Sequence, residues 1–521
     1  MKMKTTENNN GWIRIIYPEI TPPSLKDNTA DTDRLLKALK KELRVEEVTM
    51  GLHLVRKISS LLRKSGYKVR AGVFKRGNSW HLIEIFPHHM DNSIYGLAID
   101  LGSSTVVVRL VDLVSREIMD ETSFLNPQNK IGPDILTRIH FASQGEGLVK
   151  LQAILIDRLN KEIALLNKKH GVNSNSIVGM SVAGNTTMSH LFLRLDPFWI
   201  CREPYIPVIN QPGLITAADL GLSINPEAPV LVFPNIGSYL GGDIIAGILA
   251  SGMNHQEDVS ILVDVGTNAE VVLGNYEWLI GCAGAAGPAL EGGVANMGMM
   301  AGPGVIDKVI INPHTKKIEI RTIENKPPVG ICGSGLIDLA AQLFVNGMID
   351  LRGKFVAGRC QEQLNEIDGI GHLIVVSAEN SATGKILTLS QPDIDSLLRS
   401  KAAMYTILTT ITNMVNVSIQ DFRNFYIAGT FGTYIDPRSA ITIGMIPDLS
   451  IETFKGLGNS SLAGATMALL SEAVKKEIYQ IRDRVTYVEL NVNQEFMNLF
   501  SAAKFIPHTN KSLFPSVMND V

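Results

Sequence analysis

Two segments of this chain, 164 residues apart, repeat one local plan. Tyr95-Gly-Leu-Ala-Ile-Asp-Leu-Gly-Ser-Ser-Thr-Val-Val-Val-Arg109 reads as an apolar strand, an acidic turn and a second strand. Ser260-Ile-Leu-Val-Asp-Val-Gly-Thr-Asn-Ala-Glu-Val-Val-Leu273 reads the same way, with Asp264 standing where the first copy has Asp100. One such unit is compatible with an ordinary hairpin turn. Two constrain the fold more: they predict a duplicated α/β domain whose similar halves face each other across a cleft. From Tyr95 onward short β-rich runs alternate with helical stretches and Gly is frequent, the texture of a layered α/β architecture.

An apolar strand ending in Asp-x-Gly-Ser/Thr has a chemical logic. A carboxylate at a strand end can hold Mg²⁺ directly or through water. The Gly lets backbone approach a ligand closely. The hydroxyls and N–H groups that follow can donate to phosphate oxygens. Two such turns predict a clamp on the phosphates of a nucleotide. Asn424-Phe-Tyr-Ile-Ala-Gly-Thr-Phe-Gly432 is a third strand running into a Gly-rich turn, where Gly429 and Gly432 would let backbone lie flat against a base or ribose, although many αβ loops share this look. Ile331-Cys-Gly-Ser-Gly-Leu-Ile-Asp338 opens a helix whose N-terminus suits anions or sugar hydroxyls; it also reads as a plain cap with Ser334 as N-cap. Gly241-Gly-Asp-Ile-Ile-Ala-Gly-Ile-Leu249 starts another helix, and its small Ala246 and Gly247 permit a close helix crossing of the kind that suits a hinge. Asp243 there is either an N-cap or a carboxylate that positions water or metal near a γ-phosphate.

Composition removes other classes. With 45% hydrophobic and 19% charged residues, 521 residues can bury a large core. A net charge of −3 leaves no basic excess for nucleic acid. Cys201, Cys282, Cys332 and Cys360 are scattered with no C-x-x-C, which argues against a local zinc site, an iron–sulfur cluster or a disulfide framework and for a reducing compartment. Met1 to Asn10 is polar and lacks the apolar run of a signal peptide. The most apolar stretch, Ala228 to Met253, is broken by Pro234, several Gly and Asp243, and reads as buried core, not a membrane span. A cytoplasmic protein with no membrane partner is expected.

Upstream, Trp12 to Ile16 reads as a short strand, and Pro18, Pro22 and Pro23 stiffen a linker. Asp31 to Leu43 and the run Leu52, Val55, Ile58, Leu61, Leu62 have helical periodicity. Tyr67 to Phe74 and Ser79 to Phe86 alternate as two strands about a turn at 75–78. The expected organisation is a tail and linker over 1–28, a small α+β domain over 29–93, a first lobe over 94–258, a second over 259–505, and a C-terminal tail over 506–521. Gly281 to Val305 carries one charge, Glu291, with Met297, Met299 and Met300, and reads either as a mobile flap or as a Gly-rich core connection. His88 and His89 are adjacent on a strand and point to opposite faces, which disfavours a ligand pair. His190 reads as a satisfied buried histidine and Cys332 as a small packing residue.

These elements, in this order, resemble the acetate and sugar kinase/Hsp70/actin superfamily, which implies a duplicated RNase H-like (actin-like ATPase) two-lobed α/β domain, here preceded by the small α+β domain. More specifically the chain resembles the ATP-dependent reductive activators of corrinoid proteins, the RACo and RamA group. The closer match rests on Tyr95 to Thr105, Asn126-Pro-Gln128, Gly184-Asn-Thr-Thr-Met188 with His190-Leu191, Gly241-Gly-Asp-Ile244, Ala285 to Gly292, Gly330 to Asp338, and Gly429 to Pro437 with Ile443-Gly-Met-Ile-Pro447. The α+β unit before Tyr95 also looks like the middle domain of these activators.

The resemblance implies ATP and Mg²⁺ as ligands, weak ATPase activity, and a corrinoid protein partner whose cobalt is returned from Co(II) to Co(I) in a methyltransferase system. Carried over by position, Asp100, Gly102, Ser103, Ser104 and Thr105 match the first phosphate turn, and Asp264, Gly266, Thr267 and Asn268 the second. Asp100 and Asp264 are the metal carboxylates, and Asp243 joins them as catalytic. Gly333, Ser334, Gly335, Gly429, Thr430, Phe431 and Gly432 match the nucleoside side, and Lys401 sits where relatives place a residue against the adenosine. Family members generally carry an iron–sulfur domain; this sequence shows no spacing for one, so a separate ferredoxin or reductase is expected as electron donor. A homodimer is an allowed assembly. Two alternatives stay open: a small-molecule kinase of the same superfamily, and a non-catalytic nucleotide-gated binding protein. Activators of radical dehydratases need bridging cysteines that this pattern lacks.

Overall fold

The computed structural model describes residues 11–88, 94–266, 268–285, 295–360, 363–490 and 494–520. The chain forms two compact units; the first runs to Leu249 and takes back Ser461–Asp483, and the second holds Ala250–Ser460 and Arg484–Val521.

The first unit begins with a four-stranded sheet. β1 (Ile13–Ile16), β2 (Val48–Met50), β3 (Val69–Arg76) and β4 (Ser79–Pro87) are ordered β1-β3-β4-β2. β1 pairs antiparallel with β3, so this strand is part of the α+β domain, not of the tail expected over 1–28. Two helices, Asp31–Leu43 and Leu52–Lys64, cover the sheet through buried Leu35, Leu39, Leu54, Ile58 and Leu62. The second helix is turned from the expected face: Leu52 and Val55 point outward, and Leu54, Ile58 and Leu62, each one turn apart, face the core.

The second sheet of this unit contains β5 (Tyr95–Leu101), β6 (Thr105–Asp112), β7 (Ile118–Leu125), β8 (Ile177–Ala183), β9 (Leu214–Thr216) and β10 (Pro229–Val232), in the order β7-β6-β5-β8-β10-β9. β5 is antiparallel to β6 and parallel to β8. Its apolar residues Leu97, Ile99 and Leu101 are fully buried, which explains the near-continuous hydrophobic run of this strand.

The second unit repeats the plan. β11 (Ser260–Val265), β12 (Asn268–Gly274) and β13 (Leu279–Ala285) form an antiparallel meander. Two three-stranded sheets follow, β14 (Val305–Ile311), β15 (Ile318–Thr322) and β16 (Gly330–Ile331), then β17 (Leu364–Ile367), β18 (Ile370–Val376) and β19 (Leu387–Ser390). β20 (Asn424–Ala428), β21 (Phe454–Gly458) and β22 (Val485–Glu489) complete the main sheet in the order β21-β20-β11-β12-β13-β22. In each unit the acid-bearing strand is antiparallel to the next strand and parallel to a later one, β8 or β20. The duplication predicted from the two motifs is therefore a duplication of sheet topology, and the fold is the actin-like one.

Two segments lie elsewhere than expected. Ser461–Asp483 falls inside the predicted second lobe but packs on the first unit. Gly464 permits this: a Cβ there would stand 2.5 Å from Ala246 Cα, so this backbone meets the small face of helix Gly242–Ser251. Trp12 donates its indole N–H to the Ala468 carbonyl at 2.8 Å, and Glu472 receives Arg14 and Lys75. Residues 506–521, expected as a tail, contribute buried Ile506, Phe514 and Val517 to the second unit's core; the apolar surface they cover favours docking over a free end.

Candidate functional site

In the first unit the Asp100 turn is pinned from behind. Asp100 lies opposite Val107 on β6 and Ala183 on β8. Gly102 is required where it stands, because a Cβ would fall 2.3 Å from the Thr105 carbonyl oxygen. All three turn carbonyls are engaged by side chains. Asn126 Nδ2 donates to Gly102 O at 3.0 Å, Arg138 Nη2 to Ser103 O at 2.8 Å, and Asn129 Nδ2 to Ser104 O at 3.2 Å. With its carbonyls occupied, the turn offers a ligand its N–H groups and the Ser103, Ser104 and Thr105 hydroxyls, the donor chemistry a phosphate needs.

Arg138 is fully buried and sits on helix Ile135–Ala142. Its guanidinium also donates to Gly132 O at 2.9 Å and to the Asn129 side-chain carbonyl, and it faces Met188 Sδ at 3.2 Å. Burial pushes its pKa down to about 10, with Asp134 opposing the shift. It therefore stays cationic at neutral pH, and its hydrogen-bond partners are all uncharged. A desolvated positive charge tied to this turn adds to its attraction for anions. The sequence reading did not single out Arg138; the contact crosses 35 residues and has no local signature.

The same unit brings the Gly241-Gly-Asp segment to the strand ends. A Cβ on Gly184 would lie 2.8 Å from Leu101 O, and one on Gly241 would lie 2.4 Å from Asn185 Cα. Gly242 N–H donates to Gly184 O at 2.9 Å. Asp243 is inside the first turn of helix Gly242–Ser251, and its Oδ1 accepts from Ile244 N–H at 2.9 Å. The structure thus gathers the Asp100 strand end, Gly184–Asn185 and Asp243 into one backbone-packed cluster.

In the second unit Asp264 lies opposite Glu270 on β12 and Ala428 on β20. The two halves differ here, since the first unit has Val107 where the second has Glu270. Like charges directly opposed across an antiparallel pair repel, and a divalent cation would relieve that repulsion. Glu270 was not singled out from the sequence, although it lies within the second motif. Among the described residues no group of three or more His, Cys, Asp or Glu could hold a metal. Mg²⁺ is commonly held by one or two carboxylates together with substrate phosphates. Gly429 has φ +77°, and a Cβ there would stand 3.3 Å from Asp264 Oδ1, so the third Gly turn meets the second acid. Thr267 is outside the described residues, as are the side chains of Asn268, Thr430 and Phe431. Gly432 packs its Cα against Ile427 O, where a Cβ would come within 2.3 Å.

Gly333, Ser334 and Gly335 begin helix Gly333–Val345 and are buried. The N-cap is Cys332, not Ser334, whose hydroxyl instead lies 3.1 Å from Cys332 Sγ. A Cβ on Gly335 would meet Ile306 O at 2.3 Å, so these small residues let the helix press on β14. Lys401 departs from its expected place against an adenosine. It is fully buried and donates to Phe505 O at 2.5 Å and Pro507 O at 2.7 Å, which makes it a tie between helix Gln391–Met414 and the C-terminal segment. Burial holds its pKa well below the usual lysine value.

His190 is buried with both ring nitrogens engaged: Nδ1 meets Thr186 O at 2.7 Å and Nε2 accepts from Val208 N–H at 3.1 Å. Burial lowers its pKa. His89 and residues 286–294 of the expected flap, Glu291 among them, lie outside the described residues; Met297 is buried and Met300 exposed. All four cysteines are free thiols, and burial, reinforced by Glu270, raises Cys282 to about 12. No described helix is long and apolar enough to cross a membrane.

A duplicated sheet with an Asp-x-Gly turn in each half defines the actin-like nucleotide-binding class. Comparison with known proteins narrows this. The chain matches the RACo linker region over residues 10–92, the RACo middle region over 95–256, and the C-terminal domain of RACo, the ASKHA domain, over 258–518. It belongs to the RACo family. The α+β unit thus matches the family's linker region, and the middle region corresponds to the lobe that follows it. The chain is 30% identical over 493 residues to the corrinoid activation enzyme RamQ of Eubacterium limosum, covering 93% of this chain and 81% of that protein. It is 23% identical over 441 residues to the [Co(II) methylated amine-specific corrinoid protein] reductase of Methanosarcina barkeri, covering 78% and 76%. Among solved structures, the reductive activator for corrinoid, iron–sulfur protein superposes with a TM-score of 0.90 at 36% identity, covering 99% of this chain and 82% of that one.

Proposed function

We propose that this chain is an ATP-dependent reductive activator that returns a corrinoid protein from Co(II) to Co(I) in a methyltransferase system. The observation that carries the reading is the pair of Asp-x-Gly turns on duplicated sheets, in a chain matched by RACo regions from residue 10 to 518. Asp100 in the first turn, and Asp264 with Glu270 in the second, are the carboxylates that would serve Mg²⁺. The hydroxyls of Ser103, Ser104 and Thr105 would donate to phosphate oxygens, with Gly266, Thr267 and Asn268 serving the second turn. Gly429 to Gly432 would face the nucleoside, and backbone at Gly333 to Gly335 would support it. Asp243 would orient the attacking water. Mg²⁺ supplies charge neutralisation of the phosphates, while Arg138 keeps the first turn in shape.

Reduction of Co(II) is uphill from ordinary donors, and about 59 mV of mismatch costs a factor of ten in a one-electron equilibrium. ATP helps only by favouring a conformation that binds one cobalt state better. Weak turnover is the expected rate class, because the nucleotide acts by gating. Cysteine spacing supports assigning the electron to a separate ferredoxin or reductase, and a cytoplasmic setting fits the free thiols. The test is Mg-ATP turnover with and without a Co(II)-corrinoid protein and a low-potential donor. Corrinoid-stimulated turnover with formation of Co(I) is expected; turnover indifferent to the corrinoid protein would sink the reading. Phosphorylation of a metabolite would favour a kinase instead.

A further inference from the structure

A concavity in the second unit is lined by none of the residues assigned to nucleotide. A pocket of about 310 Å³ opens between the turn at residues 350–354, helix Gln391–Met414 and the segment at 504–505. Its rim carries Arg352, Lys354, Arg399 and Lys504 against one carboxylate, Asp395. That carboxylate is already taken by Lys354, whose Nζ lies 3.0 Å from both oxygens. Among the described residues, Arg352, Arg399 and Lys504 have no acidic partner. Three cations without an acidic partner thus line one small concavity, with Lys504 also lying over the Phe500 ring.

The walls are fixed before any ligand arrives. Asp350 accepts from the Arg352 and Lys354 N–H groups, both at 2.8 Å, and closes the turn. Gly353, at φ +73°, presses that turn on the helix so closely that a Cβ would stand 2.5 Å from Leu398 Cδ1. Ile506 N–H donates to Leu351 O at 2.9 Å, and Lys401 grips the Phe505 carbonyl. Leu398 and Phe505 supply an apolar side to the pocket.

We infer that this pocket binds a small multivalent oxyanion with a short carbon body, either a polycarboxylate or a phosphate ester. Guanidinium forks pair bidentately with carboxylate and phosphate alike, and the apolar wall accepts the carbon chain. The volume is at the lower end of ligand pockets, roughly 300–1,000 Å³, which fits a compact metabolite better than a peptide. The inference does not depend on the proposed activity.

The experiment is isothermal titration of the full chain at fixed ionic strength with tricarballylate and, separately, glycerol 3-phosphate, each with and without saturating Mg-ATP. Saturable one-to-one binding of either compound, unaffected by ATP, is expected; which one binds assigns the source of the charge. R399A and K504A, both exposed side chains, should each weaken binding by at least about tenfold with an unchanged circular dichroism spectrum. Absence of saturable binding, binding that survives the R352A/R399A/K504A variant, or displacement by ATP each overturns the inference. So does binding of polyglutamate alone, which would make the patch a protein-docking surface.

Discussion

Asp264 and Gly429, distant in sequence, meet at the ends of adjacent parallel strands: a Cβ on Gly429 would stand 3.3 Å from Asp264 Oδ1. This contact joins the second acidic turn to the third Gly-rich turn within one unit. It gives both residues a shared test.

Gly429→Ala should weaken ATP binding with the fold intact. At φ +77° an alanine costs about 1–2 kcal/mol, and its methyl crowds the carboxylate. Calorimetry should read a loss of about tenfold in affinity.

Asp264→Ala should abolish hydrolysis, whereas Glu270→Gln should leave ATP binding and raise the Mg²⁺ concentration needed for half-maximal turnover by about tenfold, since Asp100 and Asp264 remain. A Mg²⁺ titration of turnover separates them. Full activity of the Asp264 variant would remove the second turn from the site.

Arg138→Met should cost stability and ATP affinity together. It strips the Ser103 and Gly132 carbonyls of their donor, at about 1–3 kcal/mol for each buried group left unpaired. Arg138→Lys keeps the charge but not the fork, so it should recover part of the stability and less of the affinity. Thermal melts and titrations on the two variants check this.

His190 predicts a pH dependence of stability. Its folded pKa lies below the ordinary 6.5 because the ring is buried. The unfolded chain therefore takes up the proton first, so this contribution is present above about pH 6.5 and is lost as pH falls through the folded value. Tm should drop over that window more steeply than in His190→Gln, whose amide can keep a donor and an acceptor in place. Parallel curves would show that the Thr186 and Val208 contacts do not hold the neutral ring.

Strand periodicity, the acidic turns and the duplication were legible because each is local. A buried strand must be apolar, and a tight turn beside a carbonyl must be Gly, so Tyr95 to Thr105 and Ser260 to Asn268 announce themselves. Boundaries read from texture were less secure. β1 joins the α+β sheet, and Ser461–Asp483 returns to the first unit, because pairing and packing partners far along the chain decide such matters.

The sequence by itself determined the family and the repeated strand–turn–strand units, with Asp100 and Asp264 at matching strand ends, since these residue types follow from backbone geometry within a few positions. Only the tertiary structure decided that Arg138 secures the first turn, that Glu270 faces Asp264, and that Lys401 ties helix to C-terminal segment and not to a nucleoside. Those roles depend on which groups lose water together, and burial of a long polar side chain is fixed by its distant partners.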